Sequence, residues 1–537
     1  MGVRPPSRHD RRISAPLELH MSRRKRIRLV GEGALVGLGV GLTISLYRLA
    51  LAHAEKLLRL ITQALLTMGP VLALWFFALG IMCLVVGKLV MIEPFTQGSG
   101  IPQLDAEVAG RIDMPWYRVM PLKMIEGILC ALSGLSLGRE GPSVLLGGMV
   151  GKGVSRSFGE HRNRERLLVT CGAAAGMSAA FHAPLTGVLF AVEEIHKEFS
   201  APLVISAMTS SVMADYVSSN LLGIAPLIHF DTALSLPHDL YAAVLLLGVL
   251  CGLVGGLHNR GMFWVQERLF GRLEQHTIYV RFAIPFALAG ISAFLFPSLV
   301  CGGDAIIERV QDAQSETLGV LMLLLIGKYL FTSICFGSGA PGGTLLPLMV
   351  MGTLVGAIYG MVAMRFVHIP EIYQNSFIVL GMAGMFSAVI HAPVTAVVLV
   401  FELTGNLQAL LAASIVSILA YVVSSLTGTE PFFEHLYARL VGRDSNSKLP
   451  KSTRTEKLIR SYVISPGSVI EGHEVCDVSW PAGTLVVTIR HGDAEYVAKG
   501  STRIDALDEI FVVMGAERED QTHKELKRLC LPNELET

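Results

Sequence analysis

The sequence predicts an all-α polytopic membrane protein with an internal repeat, followed by a small C-terminal α+β domain. Three observations predict it. Only 16% of the 537 residues are charged, against roughly 25% in an ordinary soluble domain. Of the 88 charged residues, 11 fall in residues 1–30 and 29 in residues 443–537, leaving 48 for the 412 between. Finally, two stretches of the charge-poor middle resemble each other 209 residues apart.

From the amino end, residues 1–28 form a basic tail in which nine Lys/Arg (Arg4, Arg8, Arg11, Arg12, Arg23, Arg24, Lys25, Arg26, Arg28) face two acids. The positive-inside rule keeps such an end cytoplasmic. The apolar run from Leu29 to about Ala52 is too long for a signal-peptide core of 7–15 residues, so a retained first helix is expected.

A membrane body spans residues 29–441. Windows 60–87, 240–259, 282–303, 329–364, 372–401 and 403–429 contain no Asp, Glu, Lys or Arg, and each can cross a hydrocarbon core, which takes about 20 apolar residues in a helix. GMSAAFHAPLTGVLFAVEE (176–194) resembles GMFSAVIHAPVTAVVLVFEL (384–403), and GREGPSVLLGGMVG (138–151) has a partner in GGTLLPLMVMGTLVG (342–356). Internal repeats of this kind mark secondary transporters, whose sites form between repeats from broken helices; small-residue helix packing accounts for some of the matches. The eight cysteines are dispersed without a CxxC pair, so no metal site, cofactor or disulfide frame is expected. A net charge of zero gives no reason to expect nucleic acid.

Three glycine-rich stretches lie inside apolar sequence: Gly98-Ser99-Gly100-Ile101-Pro102, Gly138-Arg139-Glu140-Gly141-Pro142, and Gly339-Ala340-Pro341-Gly342-Gly343-Thr344-Leu345-Leu346-Pro347. Irregular backbone at membrane depth is tolerated only where it lines a cavity or is buried in protein. Each stretch precedes an apolar run, so each places a helix amino end with unpaired N–H groups inside the bilayer. Converging ends of this kind bind an anion without a full positive charge, weakly enough for it to leave. Glu140 lies in one of these turns; an intramembrane carboxylate is costly and points to function. Its charge and an anion would compete for one place, and protonation would vacate it. Glu193 and Glu194 close the helix after the first HAP, where acids oppose the helix dipole; a proton path and a solvated helix end both fit.

The segment 442–457 (including RDSNSKLPKSTRTEK) is polar and broken by a proline, and reads as a linker. In 458–537, RSYVI, TLVVTIR and EIFVVMG are short β-type runs separated by turn residues, with a charged helix near 520–530.

At the motifs GSGIPQ (98–103), GREGPSV (138–144) and GSGAPGGTLLP (337–347) the chain resembles the CLC family of chloride channels and chloride/proton exchangers, over residues 29–441. The resemblance implies an inverted-repeat helical fold, a homodimer with one pore per subunit, and both termini cytoplasmic in a prokaryotic inner membrane. Ser99 matches the family's anion-coordinating serine, which goes with chloride rather than nitrate. Glu140 matches the gating glutamate and Glu194 the inner proton-transfer glutamate of the exchangers. The third motif usually reads GxFxP; here Thr344 and Leu345 inherit anion binding through their main-chain amides, with the phenylalanine lost. Phe433 occupies the place of a tyrosine whose hydroxyl contacts the anion. Tyr437, one turn on, lies about 6 Å further along a helix, so a looser inner gate is the favoured expectation. Residues 458–537 resemble the C-terminal domain of RCK-type potassium-transport regulators, which implies a small-ligand or self-association module.

The expected function is chloride/proton antiport across the lipid bilayer. A passive or weakly coupled chloride channel is the alternative; a fluoride exporter is disfavoured by the serine in GSGIP. A ligand-gated cation system would need a carbonyl filter such as TVGYG, which does not occur. HExxH does not occur, and no catalytic residues are assigned.

Overall fold

The computed structural model describes residues 23–65, 72–159, 162–197, 199–223, 236–275, 277–311, 316–405, 409–444, 457–491, 494–515 and 519–531. Most of the basic tail (1–22) and of the linker (445–456) lies outside them. The chain divides into two units, residues 1–444 and 445–537.

In the first unit an eight-helix order runs twice. The first copy is α1 (Arg23–Leu65), α2 (Leu72–Ile92), α3 (Ile101–Val108), α4 (Trp116–Leu132), α5 (Glu140–Ser157), α6 (Arg162–Phe181), α7 (Pro184–Phe190) and α8 (Ala201–Leu222). The second is α9 (Tyr241–Trp264), α10 (Ile278–Leu295), α11 (Asp304–Gln311), α12 (Leu318–Gly337), α13 (Leu345–Val367), α14 (Gln374–Ile390), α15 (Pro393–Thr404) and α16 (Leu410–Leu426). α17 (Phe432–Asp444) closes the unit, three residues past the expected end of the body. Equivalent pairs pack alike: α5 on α6 as α13 on α14, and α1 on α8 as α9 on α16.

Seven of the described helices are long and apolar enough to cross a membrane. They divide by surroundings: the apolar window of α13 is 83% buried within protein, that of α2 only 33%. Leu74, Phe77 and Leu84 of α2 therefore present apolar surface to lipid, while α13 and α14 line the interior. Close packing there needs glycine. A Cβ at Gly381 would stand 2.6 Å from the Gly352 carbonyl oxygen, and one at Gly147 would strike the Gly172 carbonyl, so part of the repeat similarity is indeed small-residue helix packing.

In the second unit, β1 (Lys457–Val463), β2 (Leu485–His491), β3 (Ala494–Val497) and β4 (Glu509–Gly515) form an antiparallel sheet in the order β1-β4-β2-β3. α18 (Glu519–Cys530) packs Leu526 and Cys530 into one core with Tyr462, Ile489, Ile510, Val512 and Met514. Three strands and the helix match the β-type runs and the charged helix read from the sequence. β3 was not anticipated: all four of its residues are exposed, so this edge strand carries no alternating pattern.

Candidate functional site

The three glycine stretches meet. Gly138 and Gly343 pair as an antiparallel bridge, each donating its N–H to the other's carbonyl at 2.7 and 2.8 Å. Alongside, Gly98 donates to the Gly339 carbonyl at 3.2 Å and Gly342 to the Gly98 carbonyl at 2.9 Å. Gly138 and Gly343 are repeat equivalents, and two equivalent positions paired antiparallel send α5 and α13 away in opposite directions. The copies are therefore inverted.

Helix starts ring this knot. Ser99, 2% exposed, precedes the N-cap Gly100 of α3, held at φ +94°, a left-handed conformation that glycine adopts without strain. Glu140 is the first residue of α5; Thr344 is the N-cap of α13 and Leu345 its first residue. A helix leaves its first N–H groups without intrahelical partners, so the Thr344 and Leu345 amides have none within α13. The approach is tight: a Cβ at Gly141 would stand 3.0 Å from Ser99 Cβ and 3.2 Å from Gly343 Cα. A cavity of about 110 Å³ reaches Ser99, lined also by Gln97, Gln103, Phe336, Gly339 and Leu436.

Glu140 is fully buried. Its carboxylate has no side-chain partner but faces its own main-chain N–H and that of Leu346, and its nearest cation is Arg139, with Nε 3.8 Å from Oε1. The carboxylate lies against Leu346 and Pro347 in the first turn of α13 as well as at the start of its own helix. One side chain thus occupies the space that both helix ends would offer an anion.

The adjacent acids Glu193 and Glu194 part company. They belong to a single π-helical turn, Ala191–His196, that ends α7. Glu194 turns inward and is 8% exposed; Asp105, Lys197 and Glu434 are charged neighbours that act on it. Glu193 instead accepts from the Thr395 N–H at 2.9 Å and its hydroxyl at 2.7 Å.

Phe433 is 2% exposed, its ring edge-on to Phe190 of α7 at 6.3 Å and to Phe432 at 5.5 Å. α17, which carries it, packs on α3, and its Leu436 lines the cavity that reaches Ser99. Tyr437 is half-buried on the same helix.

Two lysines escaped the sequence reading. Lys123 on α4 donates to the carbonyls of Thr96 and Gly98, both at 2.6 Å. Lys328 on α12 donates to those of Leu299 and Cys301 at 3.0 and 2.8 Å. Both are fully buried. Their spacing of 205 residues, the same as from Gly138 to Gly343, was the available signal. Each secures the irregular backbone before a short helix, satisfying carbonyls that would otherwise be orphaned in the membrane.

A profile of the voltage gated chloride channel family matches residues 80–425. The H(+)/Cl(-) exchange transporter ClcA of Citrobacter koseri is 33% identical over 368 residues, covering 67% of this chain and 77% of that protein. The transporter of the same name from Vibrio cholerae is 32% identical over 371 residues, covering 66% and 76%. Among solved structures, a slow cyanobacterial Cl-/H+ antiporter superposes with a TM-score of 0.74 at 28% identity, covering 78% of this chain and 99% of that one. A CLC-type fluoride/proton antiporter shares the fold at a TM-score of 0.63 and 21% identity, covering 76% and 97%.

Proposed function

The chain belongs to the voltage gated chloride channel family and is a multi-pass chloride/proton antiporter of the membrane; we propose how its residues divide that work. Ser99 and the main-chain amides of Thr344 and Leu345 bind chloride. Glu140 alternates between two states. Charged, it fills the anion's place at the ends of α5 and α13; protonated, it no longer belongs there and chloride enters, and when the proton leaves, the carboxylate returns and displaces chloride. Glu194 passes protons to and from the opposite side. The observation that carries this reading is Glu140, fully buried where two helix starts meet, its carboxylate facing its own main-chain N–H on α5 and that of Leu346 on α13. The N–H groups of a helix start favour a carboxylate as they would favour an anion, so the two compete for one place.

The weakly coupled channel keeps one specific support: Phe433 has no hydroxyl to offer the anion. Liposomes loaded with the protein under a chloride gradient separate the two readings. Antiport drives protons uphill against their own gradient; chloride flux with no proton movement overturns it in favour of the channel.

Also proposed, on the family resemblance, are a homodimer with a pore in each subunit and cytoplasmic termini. The C-terminal α+β unit is proposed to take a small ligand or to self-associate.

A further inference from the structure

Glu126 on α4 is a carboxyl group that the mechanism does not use, fully buried three residues after Lys123. Its Oε1 lies 2.9 Å from the hydroxyl of Thr96, itself fully buried, and that hydroxyl lies 2.8 Å from the Glu93 carbonyl. Its Oε2 meets no hydrogen-bond donor. Lys123 sits on the same helix face, but its ammonium serves the carbonyls of Thr96 and Gly98 and makes no ion pair with Glu126.

Proton counting decides which form of Glu126 fits. A hydroxyl has one proton to donate, and that of Thr96 has two acceptors within reach. An ionised Glu126 would leave one of them without a donor and its own second oxygen unserved, and an unpaired charge buried in the membrane body is costly. The neutral acid closes the chain: Glu126 donates to Thr96 Oγ1, and Thr96 donates to the Glu93 carbonyl.

The turn so completed presents Ser99. The Gly98 carbonyl and the Ser99 N–H share one peptide plane and point opposite ways, so Lys123, bonded to that carbonyl at 2.6 Å, sets the orientation of Ser99. The second repeat supplies the contrast. Lys328 holds the Leu299 and Cys301 carbonyls of the counterpart turn, and the residue three places on is Phe331, 3% exposed. A lysine of this kind thus holds its turn with no acid beside it; the acid belongs only to the turn that presents Ser99.

We propose that Glu126 is a proton-binding positioning residue for the Ser99 chloride site: as the neutral acid it leaves Lys123 on the Gly98 carbonyl, and as the carboxylate it draws Lys123 to itself and slackens the turn. The charged or titratable groups around Glu126 are Lys123 and Cys130 of its own helix, Glu93 after α2, and Tyr47 of α1. Chloride therefore binds more tightly while Glu126 is protonated, and this change is separate from the gating by Glu140.

The inference rests on the reading of Ser99 as a chloride ligand. Its test is calorimetric chloride titration of the full chain from neutral to alkaline pH, in a Glu140→Gln, Glu194→Gln background in which neither transport glutamate titrates. Chloride binds about tenfold more weakly at the alkaline end, the equivalent of one hydrogen bond. Adding Glu126→Gln, which keeps a donor for Thr96, holds the tight affinity at every pH and removes an infrared carbonyl band of a protonated carboxylic acid. Ser99→Ala in the same background weakens chloride binding; unchanged affinity in the folded protein overturns the reading of Ser99, and the inference with it. An affinity flat in pH before Glu126→Gln, a pH dependence that survives it, or no infrared band assigned by it, overturns the inference alone. Should Glu126→Gln fail to fold, loss of the infrared band with rising pH must coincide with the fall in chloride affinity; a band absent, or lost at a different pH, overturns the proposal.

Discussion

Glu193 and Glu402, 209 residues apart at equivalent places in the two repeats, cap each other's neighbouring helices. Glu193 accepts the Thr395 N–H and hydroxyl at the start of α15, and Glu402 accepts the Thr186 N–H at 2.7 Å and hydroxyl at 2.6 Å at the start of α7. Each carboxylate meets the positive end of a half-helix from the other copy, so the two repeats are tied twice by one symmetric contact.

Because a hydrogen bond to a charged group contributes about 1.5–3 kcal/mol, Glu402→Ala and Glu193→Ala should each lower the thermal midpoint in detergent by several degrees. Thr186→Val, which keeps the main-chain donor, should cost less. Proton coupling should persist in a folded Glu193→Gln protein; its loss would place Glu193 on the proton path instead of in the tie between repeats.

Glu140→Gln should abolish proton transport while chloride still moves, because a neutral side chain neither carries a proton nor claims the anion's place. Flux recordings with simultaneous pH and chloride electrodes check this: proton coupling at the wild-type ratio would remove Glu140 from the mechanism.

Glu194→Gln should likewise stop proton movement, here by blocking supply from the far side, while the chloride route past Ser99 stays intact. Collapse of chloride flux together with proton flux would mean that Glu194 supports the fold of the π-turn and not a proton step.

Phe433→Tyr should strengthen the chloride site and tighten coupling, since a hydroxyl in the place of the ring edge adds a donor worth about 0.5–1.5 kcal/mol. Calorimetric chloride titration reads it directly. Unchanged affinity would mean that the Phe433 position does not contact the anion.

Gly141→Ala should weaken chloride binding, since the added Cβ would stand 3.0 Å from both Ser99 Cβ and the Ser99 carbonyl oxygen. Either the α3 start or the α5 start must then shift by a few tenths of an ångström. Wild-type affinity in a folded Gly141→Ala protein would show that Ser99 is not held by this contact.

By itself the sequence determined what depends on local chemistry. Charge-free windows specify membrane helices; glycine and proline at 98–102, 138–142 and 339–347 specify where helices begin; and an acid in such a turn singles out Glu140. β3 and the lysines were illegible because an exposed edge strand has no pattern and a buried cation shows its purpose only through the carbonyls it meets. Tertiary structure decided everything joined across some 200 residues: the Gly138–Gly343 bridge that gathers the helix ends, and the paired lysines under the two turns. It also separated Glu193 from Glu194. Neighbours on a helical turn point to different faces, so one carboxylate reached the opposite repeat and the other turned toward the interior. Which did which was set by the helix end waiting in the second copy, a partner that no local reading of the pair contains.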